Sequence, residues 1–295
     1  MAGFDFFRTS NRRNSLQRGV CRLVGSNALN PSDVLLELSD VHMSFGKVAA
    51  LAGVNLKIQK GEIHSVIGPN GAGKTVMMNC INGLYHPQKG TISYKGQTIN
   101  HLRPYQRAKL GMSRTFQKVE VFGGMTVLDN IRLGRHIHFK SGIASGSVWA
   151  GKTAKEEIEH RAFIEEEIID LLEIESIRHK PVGMLPYGLQ KRVELGRALA
   201  LEPELLILDE PLAGLNLEEV EDMARFILDV NEEERWKVTC LLVEHDMGVV
   251  MDLSHQVFVL NFGYTIVDGT PEEVQNNPEV IKAYLGEEDL YATRR

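Results

Sequence analysis

A chain of 295 residues with 43% hydrophobic and 24% charged side chains has the balance of a folded protein with a sizeable core. Its 33 basic and 39 acidic side chains leave a formal net charge of −6, which excludes the global basic field of a nucleic-acid binder. No apolar run approaches the roughly 20 residues that a membrane-spanning helix needs, and the three cysteines, Cys21, Cys80 and Cys240, lack metal-ligand spacing and read as small core residues in a reducing compartment.

The first thirty residues set five arginines (Arg8, Arg12, Arg13, Arg18 and Arg22) against the single acid Asp5, with no sustained apolar period, and residues 1–33 read as a disordered basic leader. From Val34 to Leu290 the pattern is that of one α/β domain, followed by a tail at 291–295. Leu36, Leu38, Val41 and Met43 alternate only in part, as expected of an antiparallel β-layer at the edge of a sheet. The runs Leu205–Leu208, Cys240–Val243 and Val257–Leu260 are continuously apolar, and Ile63–Ile67 is apolar but for His64 and Ser65, the mark of parallel strands buried on both faces. Between them, about residues 118–200, the character turns helical, with Ile164, Ile168, Leu171 and Leu172 on one stripe and a Gly/Ser-rich loop at 141–147. We therefore expect a mostly parallel α/β sheet with an antiparallel layer and an inserted helical subdomain. Thr270-Pro271-Glu272-Glu273 and Asn277-Pro278-Glu279 are start signals for two short helices near the end.

Gly68-Pro69-Asn70-Gly71-Ala72-Gly73-Lys74-Thr75 matches the phosphate-loop pattern, and it follows an apolar strand and precedes a helical run ending near Gly83. Glycines let backbone N–H groups turn inward around phosphates, and the next helix points its positive end at them. Lys74 would neutralise the β- and γ-phosphates of a nucleoside triphosphate, and Thr75 would offer a hydroxyl to Mg²⁺. Leu205–Leu208 runs into Asp209-Glu210, two carboxylates at the carboxyl edge of the sheet, where ligands of such sheets bind. There Asp209 would hold the metal through water and Glu210 would polarise the attacking water.

With these motifs in place the chain resembles the nucleotide-binding subunits of ATP-binding cassette transporters, over essentially all of Val34 to Leu290. The resemblance implies that Gln117, in Arg114-Thr115-Phe116-Gln117, is the glutamine that reaches the metal and the membrane subunit. It likewise implies that His245, in Glu244-His245-Asp246, contacts the γ-phosphate, that Phe45 stacks on adenine, and that Val76 follows the phosphate loop in contact with ATP. Ala213-Gly214-Leu215-Asn216 matches the loop at the dimer interface, with asparagine where aspartate is commoner.

The signature segment departs from the family: Leu185-Pro186-Tyr187-Gly188-Leu189-Gln190 stands where most members have Leu-Ser-Gly-Gly-Gln. Tyr187 and Gly188 are the residues expected to face the ATP of an opposing subunit, from a helix N-terminus that carries no serine hydroxyl. Tyrosine before the glycine, Arg-Thr-Phe-Gln, Glu-His-Asp-Met and the run Asn276–Gly286 resemble the branch that energises uptake of branched-chain amino acids. The likeness implies a homodimer or a heterodimer with a second ATP-binding subunit, permease subunits in the membrane, a substrate-binding protein acting indirectly, and no nucleic-acid partner. It implies a peripheral position on the cytoplasmic face of the inner membrane. A lipopolysaccharide-export motor and a regulatory nucleotide-binding module with weak hydrolysis are the alternatives.

Overall fold

The computed structural model describes residues 33–138 and 152–284. The body of the basic leader, the Gly/Ser-rich loop at 141–147 and the tail at 291–295 lie outside the described residues. Two long strands, β1 (Val34–Phe45) and β2 (Val48–Gln59), pair antiparallel. In β1 the buried positions run Leu36, Leu38 and then Val41, Met43, because the register slips at Asp40, whose φ is +51°. That bulge is why the alternation in the sequence is only partial.

The strand β3 (Ile63–Ile67) is buried at every residue, and the helix α1 (Lys74–Asn82) follows it and ends on Gly83 in the left-handed conformation. β4 (Lys89–Tyr94) and β5 (Gln97–Thr98) complete a sheet of order β2-β1-β4-β5. The short helix α2 (Pro104–Lys109) sends Arg107 inward, fully buried, where its guanidinium donates to the carbonyls of Cys80 and Ile81 in the last turn of α1 and to those of Ile99 and Leu102. Burial pushes its pKa down to about 10, and the carbonyls of the α1 C-terminus suit a cation.

Beyond β6 (Met112–Arg114) the chain turns helical: α3 (Val127–Gly134) is capped by the Thr126 hydroxyl, and α4 (Lys152–Phe163) runs into a π-helical stretch at Ile164–Ile169. Ile164, Ile168 and Leu172 of the expected stripe are buried, with Leu171 packed at their margin. α5 (Tyr187–Leu199) returns to the sheet. There β7 (Leu205–Asp209), α6 (Leu217–Glu232), β8 (Thr239–Val243), α7 (Met247–Leu253) and β9 (Gln256–Asn261) follow, with β10 (Tyr264–Gly269) antiparallel on β9. α8 (Pro271–Gln275) starts at the Thr270 capping box, and residues 278–284 are helical behind Asn277, which accepts from the N–H groups of Glu279 and Val280.

The second sheet has the order β10-β9-β3-β8-β7-β6, and from β9 to β6 all neighbours are parallel. Alternate residues bury into opposite faces. Leu206, Leu208, Cys240 and Leu242 join the helical side with α5 and α6, whereas Leu205, Ile207, Leu241 and Val243 join α1 and the antiparallel layer. Both faces being covered explains the continuous apolar runs. The ends of β3, β6, β7 and β8 therefore share one edge, and each runs directly into a segment singled out in the sequence. Among the described residues no helix is long and apolar enough to cross a membrane.

Candidate active site

The loop after β3 is wedged between backbones. A Cβ on Gly68 (φ +150°) would lie 2.0 Å from the Leu260 carbonyl of β9, and one on Gly73 (φ +109°) would lie 2.4 Å from the Ala50 carbonyl of β2. Only glycine fits at those two positions. The loop is tied further by the turn between β9 and β10, where Gly263 N–H donates to Ala72 O and Gly263 O accepts from Ala52 N–H. Lys74, buried, turns its ammonium toward the carbonyls of Gly68 and Pro69. The first turn of α1 thus opens into a cleft of about 350 Å³, lined by Val48, Ala49 and Ala50 of β2, Asn70 to Val76, Gln117, Glu210, His245 and Phe262.

Glu210 leaves β7 in the left-handed region, at φ +50°, a conformation that costs a side-chain-bearing residue on the order of 1–3 kcal/mol. Its N–H donates to Val243 O at 2.9 Å, and its carbonyl accepts from Lys191 Nζ at 2.7 Å. Its carboxylate is bracketed, since Oε2 accepts from Gln117 Nε2 at 2.8 Å and Oε1 lies 2.9 Å from His245 Nε2. The residue before that histidine, Glu244, is buried and accepts from the N–H groups of Leu212 and His245, which fixes the base of the loop. Burial pushes the Glu244 carboxyl above the usual carboxylate range, against the two backbone donors that favour its charged form.

Asp209 is buried below the cleft, and its Oδ2 accepts from Arg114 Nη2 at 2.8 Å while Arg114 Nη1 donates to Asn79 of α1. Arg114 thereby joins the end of β6, the end of β7 and the phosphate-loop helix. Thr75, Gln117 and Asp209 offer a hydroxyl, an amide and a carboxylate, all oxygen donors, which fits Mg²⁺, an ion that takes oxygen ligands and keeps several waters. Among the described residues no group of three His, Cys, Asp or Glu side chains is arranged to hold a metal.

The structure thus gathers the whole run Gly68–Val76 with Gln117, Glu210 and His245 at one edge. Phe45 stands at the end of β1, half-exposed and edge-on to Tyr85 with ring centroids 5.3 Å apart, paired across the β1–β2 turn with Val48 of the cleft wall. Tyr187 and Gly188 lie at the start of α5, away from this cleft. There a Cβ on Gly214 would sit 3.2 Å from the Tyr187 ring, and one on Gly188 would sit 2.2 Å from Glu219 Oε1. Pro186 is the residue that precedes the helix, and Asn216 caps α6, a place asparagine fills as well as aspartate. Sequence reasoning passed over Arg114, Lys191, Glu194, Glu244 and Phe262. Phe262 had a legible signal, as an aromatic before glycine in a turn, and its φ is +45°.

Comparison with known proteins agrees with this geometry. The profile of the ABC transporter family matches residues 51–213, and that of the branched-chain amino acid ATP-binding cassette transporters matches residues 265–289. The chain is 40% identical over 256 residues to the high-affinity branched-chain amino acid transport ATP-binding protein BraF of Pseudomonas aeruginosa, covering 86% of this chain and 98% of that protein. It is 41% identical over 258 residues to the corresponding protein LivG of Escherichia coli, covering 87% and 99%. A crystal structure of the ADP conformation of an ATP-binding cassette from an ABC transporter superposes with a TM-score of 0.74 at 28% identity, covering 86% of this chain and 99% of that one. Phosphate loop, bracketed glutamate, family profile and full-length relatives all point the same way: the chain belongs to the ATP-binding cassette transporter family, as one of its ATP-hydrolysing subunits.

Proposed function

We propose that this chain energises the import of branched-chain amino acids, or of a related small polar solute, by hydrolysing Mg-ATP at the cleft between the phosphate loop and Glu210. Like other subunits of its family it works as a dimer with membrane permease components. We assign it a peripheral position on the cytoplasmic face of the inner membrane, where its second ATP-binding subunit is a further copy or a relative. A substrate-binding protein would act on it only through the permease. The solute assignment rests on the likeness to BraF and LivG along their whole length.

The observation that carries the hydrolytic reading is the bracketing of Glu210 by Gln117 and His245 at the mouth of a glycine-lined phosphate loop. Phosphoryl transfer needs placement and charge compensation more than covalent help. The N–H groups at the start of α1 and the Lys74 ammonium would hold the phosphates, and the apolar wall at Val48–Ala50 with Phe45 beside it would hold the nucleoside. Thr75, Gln117 and Asp209 would hold Mg²⁺, which supplies charge neutralisation on the phosphates when bound. Glu210 would orient the water once one of its two contacts yields an oxygen, and His245 would then turn to the γ-phosphate. Glu210→Gln should therefore bind ATP while hydrolysing it on the order of 10²-fold more slowly. Steady-state ATPase measurements at saturating Mg-ATP check this, and near wild-type turnover in that variant removes Glu210 from the role.

A further inference from the structure

The inner face of α5 carries two charged residues one turn apart, Lys191 and Glu194, each only 4% exposed. Charges taken out of water persist only where hydrogen bonds satisfy them, and both of these are turned on the backbone of the catalytic segments. Glu194 Oε1 accepts from Phe116 N–H and from Glu120 N–H, each at 3.3 Å, so one oxygen draws together the two ends of the segment that bears Gln117. Lys191 Nζ donates to the carbonyl of Glu210 at 2.7 Å and so holds that residue in its left-handed conformation. The circuit closes in front, where Gln117 Nε2 reaches Glu210 Oε2 at 2.8 Å.

We propose that Glu194, acting with Lys191, is a positioning residue that sets the contact between Gln117 and Glu210 from the helix behind them. The proposal rests on the reading of Glu210 and Gln117 as working groups given above. It explains why two buried charges sit on a helix whose other buried side chains, such as Val193, Leu195 and Leu199, are apolar. Neither side chain lines the nucleotide cleft, so each acts through a residue that does.

The test compares two substitutions in the full-length chain. Glu194→Asp keeps the charge and withdraws the carboxylate by one methylene. Glu194→Gln drops the charge and keeps the reach. Because a misplacement of about 1 Å near the reacting groups can cost on the order of 10²-fold, Glu194→Asp should lower kcat by about 10- to 100-fold. Its KM for ATP should stay within about threefold, and the kcat of Glu194→Gln should do the same. In a Gln117→Ala background Glu194→Asp should cost less than about twofold more, since the group it positions is gone. Amide hydrogen exchange reads the clamp without turnover: Phe116 and Glu120 should be protected in the wild-type protein and in Glu194→Gln, and unprotected in Glu194→Asp. Wild-type turnover in Glu194→Asp, equal losses in the two variants, or an undiminished loss in the Gln117→Ala background would each overturn the positioning role. A wild-type protein that keeps the amide protection but hydrolyses no ATP would instead sink the function assigned to the site, and the positioning role with it.

Discussion

His64 is buried in β3, with Nδ1 2.9 Å from Glu62 Oε1 and Nε2 3.1 Å from Asp268 Oδ1 of β10. Burial pushes its pKa down, but the carboxylates of Asp268 and Glu62 on its two sides more than reverse this and lift it to about 9. A folded-state pKa above the unfolded value of 6.5 means that the imidazolium stabilises the fold fully below pH 6.5. That contribution is lost as pH rises toward about 9, at no more than about 1.4 kcal/mol per pH unit. Melting temperatures of wild type and His64→Asn taken from pH 6 to pH 9.5 should therefore converge as pH rises, and parallel curves would show that His64 is not charged in the fold. The pair was not legible in the sequence, because Glu62 stands two residues from His64 but Asp268 reaches it only when β9 and β10 are added beside β3. Glu210 and Lys74, by contrast, stand in short runs whose chemistry is local, so their neighbours in the chain announce them. Lys191 and Glu194 fall between these cases. Their spacing on an apolar helix face was visible, but what they reach was not.

Among elements, the starts of α5 and α6 are coupled. Glu219 closes the α6 capping box by accepting from Asn216 N–H, and the same carboxylate fills the space beside Gly188. A methyl group at Gly188 must push Glu219 out of that box, so Gly188→Ala should cost about 0.5–2 kcal/mol in chemical denaturation. In a Glu219→Ala background the same change should cost almost nothing, and a penalty that persists there would rule out this collision as the cause. Pro186 precedes α5 without a side-chain cap. Replacing it with serine gains a cap worth about 0.5–2 kcal/mol and loses about 0.4–1 kcal/mol of proline rigidity, so the melting temperature should hold or rise slightly. Elements were legible where burial is two-sided, as in the apolar runs that became β3, β7, β8 and β9. β6 and β10 escaped notice because Met112-Ser113-Arg114 is too short to show a period and all but the last residue of β10 are exposed or half-exposed. The slip at Asp40 hid the true phase of β1.

At the scale of the whole molecule, the nucleotide cleft and the α5 start lie on different parts of one chain, and Pro186 leaves the first N–H groups of α5 without a side-chain cap. The N–H groups and dipole of such a helix start favour an anion, a place that the Glu219 carboxylate beside Gly188 flanks within this chain. Two copies set head to tail would give each cleft the α5 start of its neighbour, so ATP should draw the chains together. In the Glu210→Gln variant, sizing chromatography with Mg-ATP should show a dimer that ADP does not produce, and a monomer under both conditions would count against this arrangement. The order of strands carries one more consequence. β3, which bears the phosphate loop, finds both of its sheet neighbours in β8 and β9, and the loop is braced by the carbonyl of Leu260 and the amide of Gly263. A ribosome therefore delivers the whole phosphate-loop motif early and its supports almost last. Since chains emerge at about 5–20 residues per second, the nascent protein spends on the order of ten seconds with the motif in hand and no place to seat a nucleotide. Messages cut short after α6 would yield chains that carry the motif and hold no ATP.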